Sequence, residues 1–160
     1  MTRKSKVVVA LVTALIGVVI VFTGMYWFTI GHTERAKEAM IVEARERLDS
    51  EQPGEVVNQA TLYNGTEPYV VFENDDRLLF VPVDEDLPIV VRDLTNVDLN
   101  QICNASVAET GGTLVSCKYG FDERALVEVV TKANASYTYS YYTLQTGEFI
   151  RRVELTDASL

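Results

Sequence analysis

The residues best equipped for chemistry in this 160-residue chain are two cysteines, one histidine and three acidic runs. Cys103 and Cys117 flank Gly111-Gly112, and an even cysteine count in an exported chain invites a disulfide. Closing a loop of about 15 residues is worth roughly 3 kcal/mol in the chain-entropy account. Two buried thiols are the alternative, and the sequence leaves the choice open. His32 is the lone histidine. With no Ser or Cys motif beside it, it completes no hydrolytic triad, and a single imidazole is not a zinc site. Asp75-Asp76, Asp84-Glu85-Asp86 and Asp122-Glu123 fall in predicted turns, where solvated charge is the default. Glycosidase chemistry needs two carboxylates facing each other across a cleft, and the calcium-loop spacing is absent. No G-x-S-x-G, P-loop or H-E-x-x-H pattern occurs. The expectation is a protein that is not an enzyme and has no catalytic residue, metal ligand or cofactor.

A tyrosine-rich segment offers binding rather than catalysis. Tyr137, Tyr139 and Tyr141 alternate onto one face of a predicted strand, with Thr138, Ser140 and Tyr142 on the other. One reading makes one face core and leaves the other partly exposed. The sharper reading makes Tyr139, Tyr141 and Tyr142 a candidate partner-binding patch, because exposed tyrosines are favoured hot-spot residues.

The elements that would position these groups begin with a membrane segment. Val7–Ile30 has no charged residue, and 19 of its 24 residues are apolar. A helix of that length reaches about 36 Å, against about 30 Å for the hydrocarbon core. Its 14 Val, Leu, Ile and Phe residues favour insertion by roughly −4 to −8 kcal/mol. Phe22, Tyr26, Trp27 and Phe28 crowd its end like an interfacial belt, and Arg3, Lys4 and Lys6 precede it. The prediction is a single-pass anchor in the cell membrane with a cytoplasmic N-terminus and an extracytoplasmic body. A cleaved signal peptide is the rival, but the run is long for an h-region and no small-x-small site closes it. Ala10, Ala14, Gly17 and Gly24 fall on one stripe of this helix, a candidate contact for another membrane helix. Small residues are common in such spans, which is the plainer reading.

Beyond Gly31-His32, Thr33 is a cap candidate for a helix over 33–50, in which Glu43 and Arg47 are placed to pair. Strands are expected at Val56–Tyr63, Tyr69–Glu73 and Leu78–Val83, with Asn64-Gly65 as a turn and Pro82 marking an edge. Ile89–Leu94 reads as a linker or a further short strand. Asn96 or Asp98 is placed to cap a second helix over about 98–109. Strands follow at Thr113–Tyr119, Leu126–Thr131, Tyr137–Leu144 and Glu148–Leu155, with Gly120 assigned to a turn. The halves share a helix-then-strands order, as an internal duplication would give.

Composition adds a polarity. The net charge of −9 divides into +3 over residues 1–30 and −12 over residues 31–160. Such a body is a poor fit to nucleic acid, and it is too rich in Val, Leu, Tyr and Phe to be disordered throughout. Asn64-Gly65-Thr66, Asn104-Ala105-Ser106 and Asn134-Ala135-Ser136 are glycosylation sequons, relevant only in a eukaryotic source.

Taken together, the basic start, the span, Tyr63-Asn64-Gly65 with Tyr69-Val70-Val71, Leu126-Val127-Glu128-Val129, Tyr137–Tyr142 and Thr146-Gly147-Glu148 resemble the TseB-like (YpmB-like) family of membrane-anchored cell-wall elongation regulators. The chain departs from the family's usual pattern in having two cysteines and no Trp in the Leu126–Val129 strand. The resemblance implies an α+β fold: an N-terminal transmembrane helix, then two PepSY-like units, each a helix on an antiparallel sheet of three to four strands. The corresponding domains are a basic tail (1–6), the anchor (7–30), a first unit with linker (31–95) and a second unit (96–160). It implies a non-enzymatic regulator that binds a penicillin-binding transpeptidase, or another protein of cell-wall synthesis. The alternative is a PepSY-type module that modulates or inhibits an extracytoplasmic peptidase.

Overall fold

The computed structural model describes residues 3–94 and 98–156, and within the first helix it leaves out the side chains of residues 3–14, 22 and 24–33. The element order is α1 (Arg3–Glu51), β1 (Gln59–Asn64), β2 (Pro68–Glu73), β3 (Arg77–Pro82), β4 (Val90–Asp93), α2 (Leu99–Thr110), β5 (Thr113–Asp122), β6 (Arg124–Ala133), β7 (Ser136–Thr143) and β8 (Phe149–Thr156). The chain divides into two compact units, Met1–Ala39 and Met40–Leu160.

The first unit overturns the expected fold class. In place of an anchor, a joint and a separate helix, α1 is one 49-residue element that runs through Gly31 and His32. One glycine inside a helix costs only about 1 kcal/mol relative to alanine, less than a break that strands several backbone groups. Among the described residues, no helix is long and apolar enough to cross a membrane. The described side chains of the apolar run, Leu15–Val21 and Thr23, are exposed.

The second unit is mainly sheet. Two four-stranded antiparallel meanders run in the orders β1-β2-β3-β4 and β5-β6-β7-β8. In the first sheet, alternation sends Val70, Phe72, Leu79 and Val81 to one face, where Ala44 and Leu48 of α1 complete a small core. Each fully buried Val, Leu or Phe here contributes about 1.5–3 kcal/mol. Arg47 locks the same helix end to the β3–β4 connection. Its guanidinium donates to the carbonyls of Pro82 (3.3 Å), Asp84 (3.3 Å) and Leu87 (2.6 Å), and it pairs with Glu51 at 2.7 Å rather than with Glu43.

The other face of the first sheet carries Tyr63, Tyr69, Val71, Leu78 and Phe80, and these do not form a core of their own. They pack with Tyr119, Phe121, Val127, Val129 and Tyr142 of the second sheet in one cluster. Phe121 sits with its ring centroid 4.9 Å from that of Tyr69 and 5.3 Å from that of Phe80. The two sheets thus share one interior, and the chain is mainly sheet.

Two local expectations also change. Pro82 does not mark an edge strand: β3 is central, pairing with both β2 and β4. Its pairing with β4 ends at Phe80, so the missing N–H of Pro82 lies beyond that ladder. Gly120 is not a turn residue either. Strand β5 continues to Asp122, and the reversal is made at Glu123, with φ 59°.

Helix α2 begins at Asp98, whose side chain accepts a hydrogen bond from the Gln101 amide, and ends on Gly111 in the left-handed conformation (φ 65°). It packs on β5, β6 and β7. The Cys103–Cys117 disulfide joins α2 to β5, with the two Cα atoms 6.1 Å apart.

Candidate functional site

Strand β7 pairs with β6 on one side and β8 on the other, and the register decides which side chains share a face. Tyr137, Tyr139 and Tyr141 stand opposite Lys132, Val130 and Glu128 of β6, and opposite Leu155, Val153 and Arg151 of β8. The disulfide and Tyr142 place α2 against the reverse face. The three tyrosines are partly buried, Tyr141 packing against the shared core, and Val153 is 41% exposed, so the row is partly open to solvent.

Cations order this row. Lys132 Nζ lies 4.5 Å from the Tyr137 ring centroid and donates to the Tyr137 hydroxyl at 2.9 Å. The Arg151 guanidinium lies 4.7 Å from the Tyr141 ring centroid and pairs with Asp122 at 3.2 Å. Stacked cations of this kind hold a ring in place at a gain of about 0.5–1 kcal/mol at exposed sites. Beneath them Glu128, 7% exposed, is paired with Lys118 at 3.4 Å, and Lys118 lies 5.5 Å from the Tyr63 ring centroid. Burial, with the nearby Glu128 carboxylate, pushes the Tyr141 hydroxyl up to about 12. Tyr141 therefore remains a neutral hydrogen-bond donor across the physiological range. The result is a preorganised face of aromatic rings, hydroxyls and cations on an otherwise acidic body.

The predicted site residues separate. Tyr139 and Tyr141 belong to the open face. Tyr142 does not: it is 4% exposed on the opposite face, its ring 5.8 Å from that of Phe149 and its hydroxyl donating to Glu109 at 3.5 Å. Adjacent strand residues point to opposite faces, so Tyr141 and Tyr142 cannot serve one surface. Cys103 and Cys117 are bonded to each other. Of the proposed membrane-helix stripe, Ala10, Ala14 and Gly24 lie outside the residues whose side chains are described, and a Cβ built on Gly17 meets no atom within 4 Å. Sequence reasoning missed Lys132, Arg151 and Val153. Only the cross-strand register brings them to the tyrosines, and the register shift at Tyr141/Tyr142 hides that pairing from spacing alone.

The architecture defines a mainly β protein with a helix packed on each of two meanders. Its fold is similar to that of the YpmB protein from Bacillus subtilis, with a TM-score of 0.61 over 71% of this chain and 95% of that one at 18% identity. No protein-family model matches the chain. A comparison with curated proteins finds no match either.

Proposed function

We propose that this chain is an exported, non-enzymatic binding protein of the YpmB-like kind, which regulates cell-wall elongation by contact with a penicillin-binding transpeptidase. The observation that carries this reading is the open face of Tyr139, Tyr141 and Val153, flanked by Lys132 and Arg151. Rigid tyrosines give contact area at low entropic cost, and flanking cations give orientation. The likeness of fold to YpmB agrees with the family that the sequence resembles. The Cys103–Cys117 disulfide supports a site of action outside the cytoplasm, where disulfides persist. A body of −12 also disfavours indiscriminate adhesion to anionic wall polymers and leaves selective protein contact as the route to function.

Crosslinking in intact cells followed by capture of the full chain tests the proposal. Recovery of a penicillin-binding transpeptidase, lost in Tyr139→Ala/Tyr141→Ala, is the expected result. Recovery of a secreted peptidase instead would establish the peptidase-modulating alternative. Turnover of peptidoglycan or peptide by the purified chain would overturn its non-enzymatic character.

A further inference from the structure

A second site lies on the reverse face of the second sheet. Between α2 and the β7–β8 hairpin is an open cleft of about 300 Å³. Its floor is Ile102, Leu144 and the buried Tyr142, and its rim carries Asp98, Gln101 and Gln145. The hairpin wall is fixed. Thr143 N donates to the Glu148 carbonyl at 2.8 Å, and Gly147 N donates to the Thr143 carbonyl at 3.0 Å. Gly147, with φ 66°, lies against the Ile102 side chain.

At one end stands Phe149, 53% exposed. An exposed phenylalanine ordinarily samples several rotamers, but this ring is held on two sides. Tyr142 meets it at 72° in an edge-to-face contact, and the Arg152 guanidinium lies 5.3 Å from its centroid. Arg152 is itself fixed by Glu109 at 2.7 Å and by the Ser140 hydroxyl at 3.0 Å. The remaining ring surface is therefore a preorganised apolar platform, with its ordering cost met before any ligand arrives. The cleft is also lined by Gln101 and Gln145, both exposed.

The charges select the ligand class. Asp98 and Glu109 line the cleft, no Lys or Arg is among its described lining residues, and Arg152 beside Phe149 is engaged by Glu109. An anionic ligand would meet an uncompensated carboxylate. A purely apolar ligand would leave amides and carboxylates desolvated without partners. A ring with one apolar C–H face and equatorial hydroxyls satisfies both requirements, stacking on Phe149 and exchanging hydrogen bonds with the amides and Asp98. We propose that this cleft is a binding site for a neutral pyranose unit. It lies on the face of the sheet opposite the tyrosine row and does not depend on that row's function.

The test is titration of the full chain in sugar-free buffer with three trisaccharides, followed by calorimetry and amide chemical shifts. The probes are chitotriose in its N-acetylated, neutral form, its fully deacetylated, cationic form, and trigalacturonate, which is anionic. Saturable binding of the neutral form is expected, with shifts at Gln101, Gln145 and Phe149. Phe149→Ala should weaken it at least about tenfold, the loss of one aromatic contact. Gln101→Ala, an exposed change that spares the fold, should weaken it several-fold, and Tyr139→Ala should leave it unchanged. Absence of saturable binding, preference for either charged probe, or affinity unaltered in both Phe149→Ala and Gln101→Ala would each overturn the proposal.

Discussion

The ring of Tyr63 rests against the backbone of Gly120: a Cβ added at position 120 would fall within 3.0 Å of ring carbons Cδ2, Cε2 and Cζ. The ring cannot retreat, because Gly65 approaches its other edge and Tyr63 is 2% exposed. Gly120→Ala should therefore cost about 1–3 kcal/mol, the usual range for overpacking a filled core. Urea unfolding would show the change as a lower midpoint with an unchanged slope. A wild-type midpoint would mean that the contact is loose.

Four tyrosines predict an alkaline limit to stability. Burial pushes Tyr119 and Tyr141 up to about 12, and it raises Tyr63 and Tyr69 above the ordinary tyrosine value. Nearby carboxylates add to each: Glu73 and Asp98 for Tyr119, Glu128 for Tyr141 and Tyr63, and Glu67 and Asp84 for Tyr69. An unfolded tyrosine ionises near 10, so the folded state holds these protons more tightly. Their contribution is intact below about pH 10 and is lost as pH rises from 10 through 12. Absorbance titration of the native chain should show a delayed phase that urea abolishes. A single native transition near 10 would refute this.

Removal of the Cys103–Cys117 bond should cost roughly 3 kcal/mol, because it closes a loop of about 15 residues. Cys103→Ala/Cys117→Ala should lower the melting temperature by on the order of 10 °C. Hydrogen exchange should accelerate in α2 before it does in β6, since α2 is the element that the bond tethers.

Arg47 predicts a failure of conservative replacement. Three carbonyls at three positions of one connection take its planar fork, and the side chain is 17% exposed. Arg47→Ala should cost about 1.5–3 kcal/mol, in the range of hydrogen bonds to a charged group. Arg47→Lys should recover little of it, because a lysine ammonium cannot reproduce the fork. Thermal unfolding of both variants decides the matter. Full rescue by lysine would reduce Arg47 to a simple charge.

Ser106 predicts a gain. Its hydroxyl is fully buried and, among the described residues, has no hydrogen-bond partner. Ser106→Ala removes an unsatisfied polar group and adds helix propensity, so it should be neutral or stabilising by up to about 1 kcal/mol. A destabilised variant would reveal a bond to a buried water.

Local signals read true where one residue decides the backbone. Asn64 closes β1 ahead of the first turn, and Asp98 caps α2. They fail where a distant contact decides. Gly120 looks like a turn and is instead the hollow that admits Tyr63, 57 positions earlier in the chain. Gly31-His32 looks like a joint, but a single glycine does not outweigh the helix formers on either side. For the candidate site, alternation along β7 gave the split between Tyr141 and Tyr142, yet it could not supply Arg151 and Lys132, which arrive through register with neighbouring strands. The membrane stripe rests on spacing alone, and spacing carries no information about what a helix touches.

The contact of Phe121 with Tyr69 and Phe80 bears on how the two halves can change over time. An interior built jointly by both sheets makes each half the environment in which the other is selected. A larger residue accepted in β5 is tolerable only if β2 or β3 has already yielded the space. The repeated order of helix and meander therefore drifts as a matched pair, and exchanging one half for its counterpart from a distant relative would bring in a surface fitted to an absent neighbour.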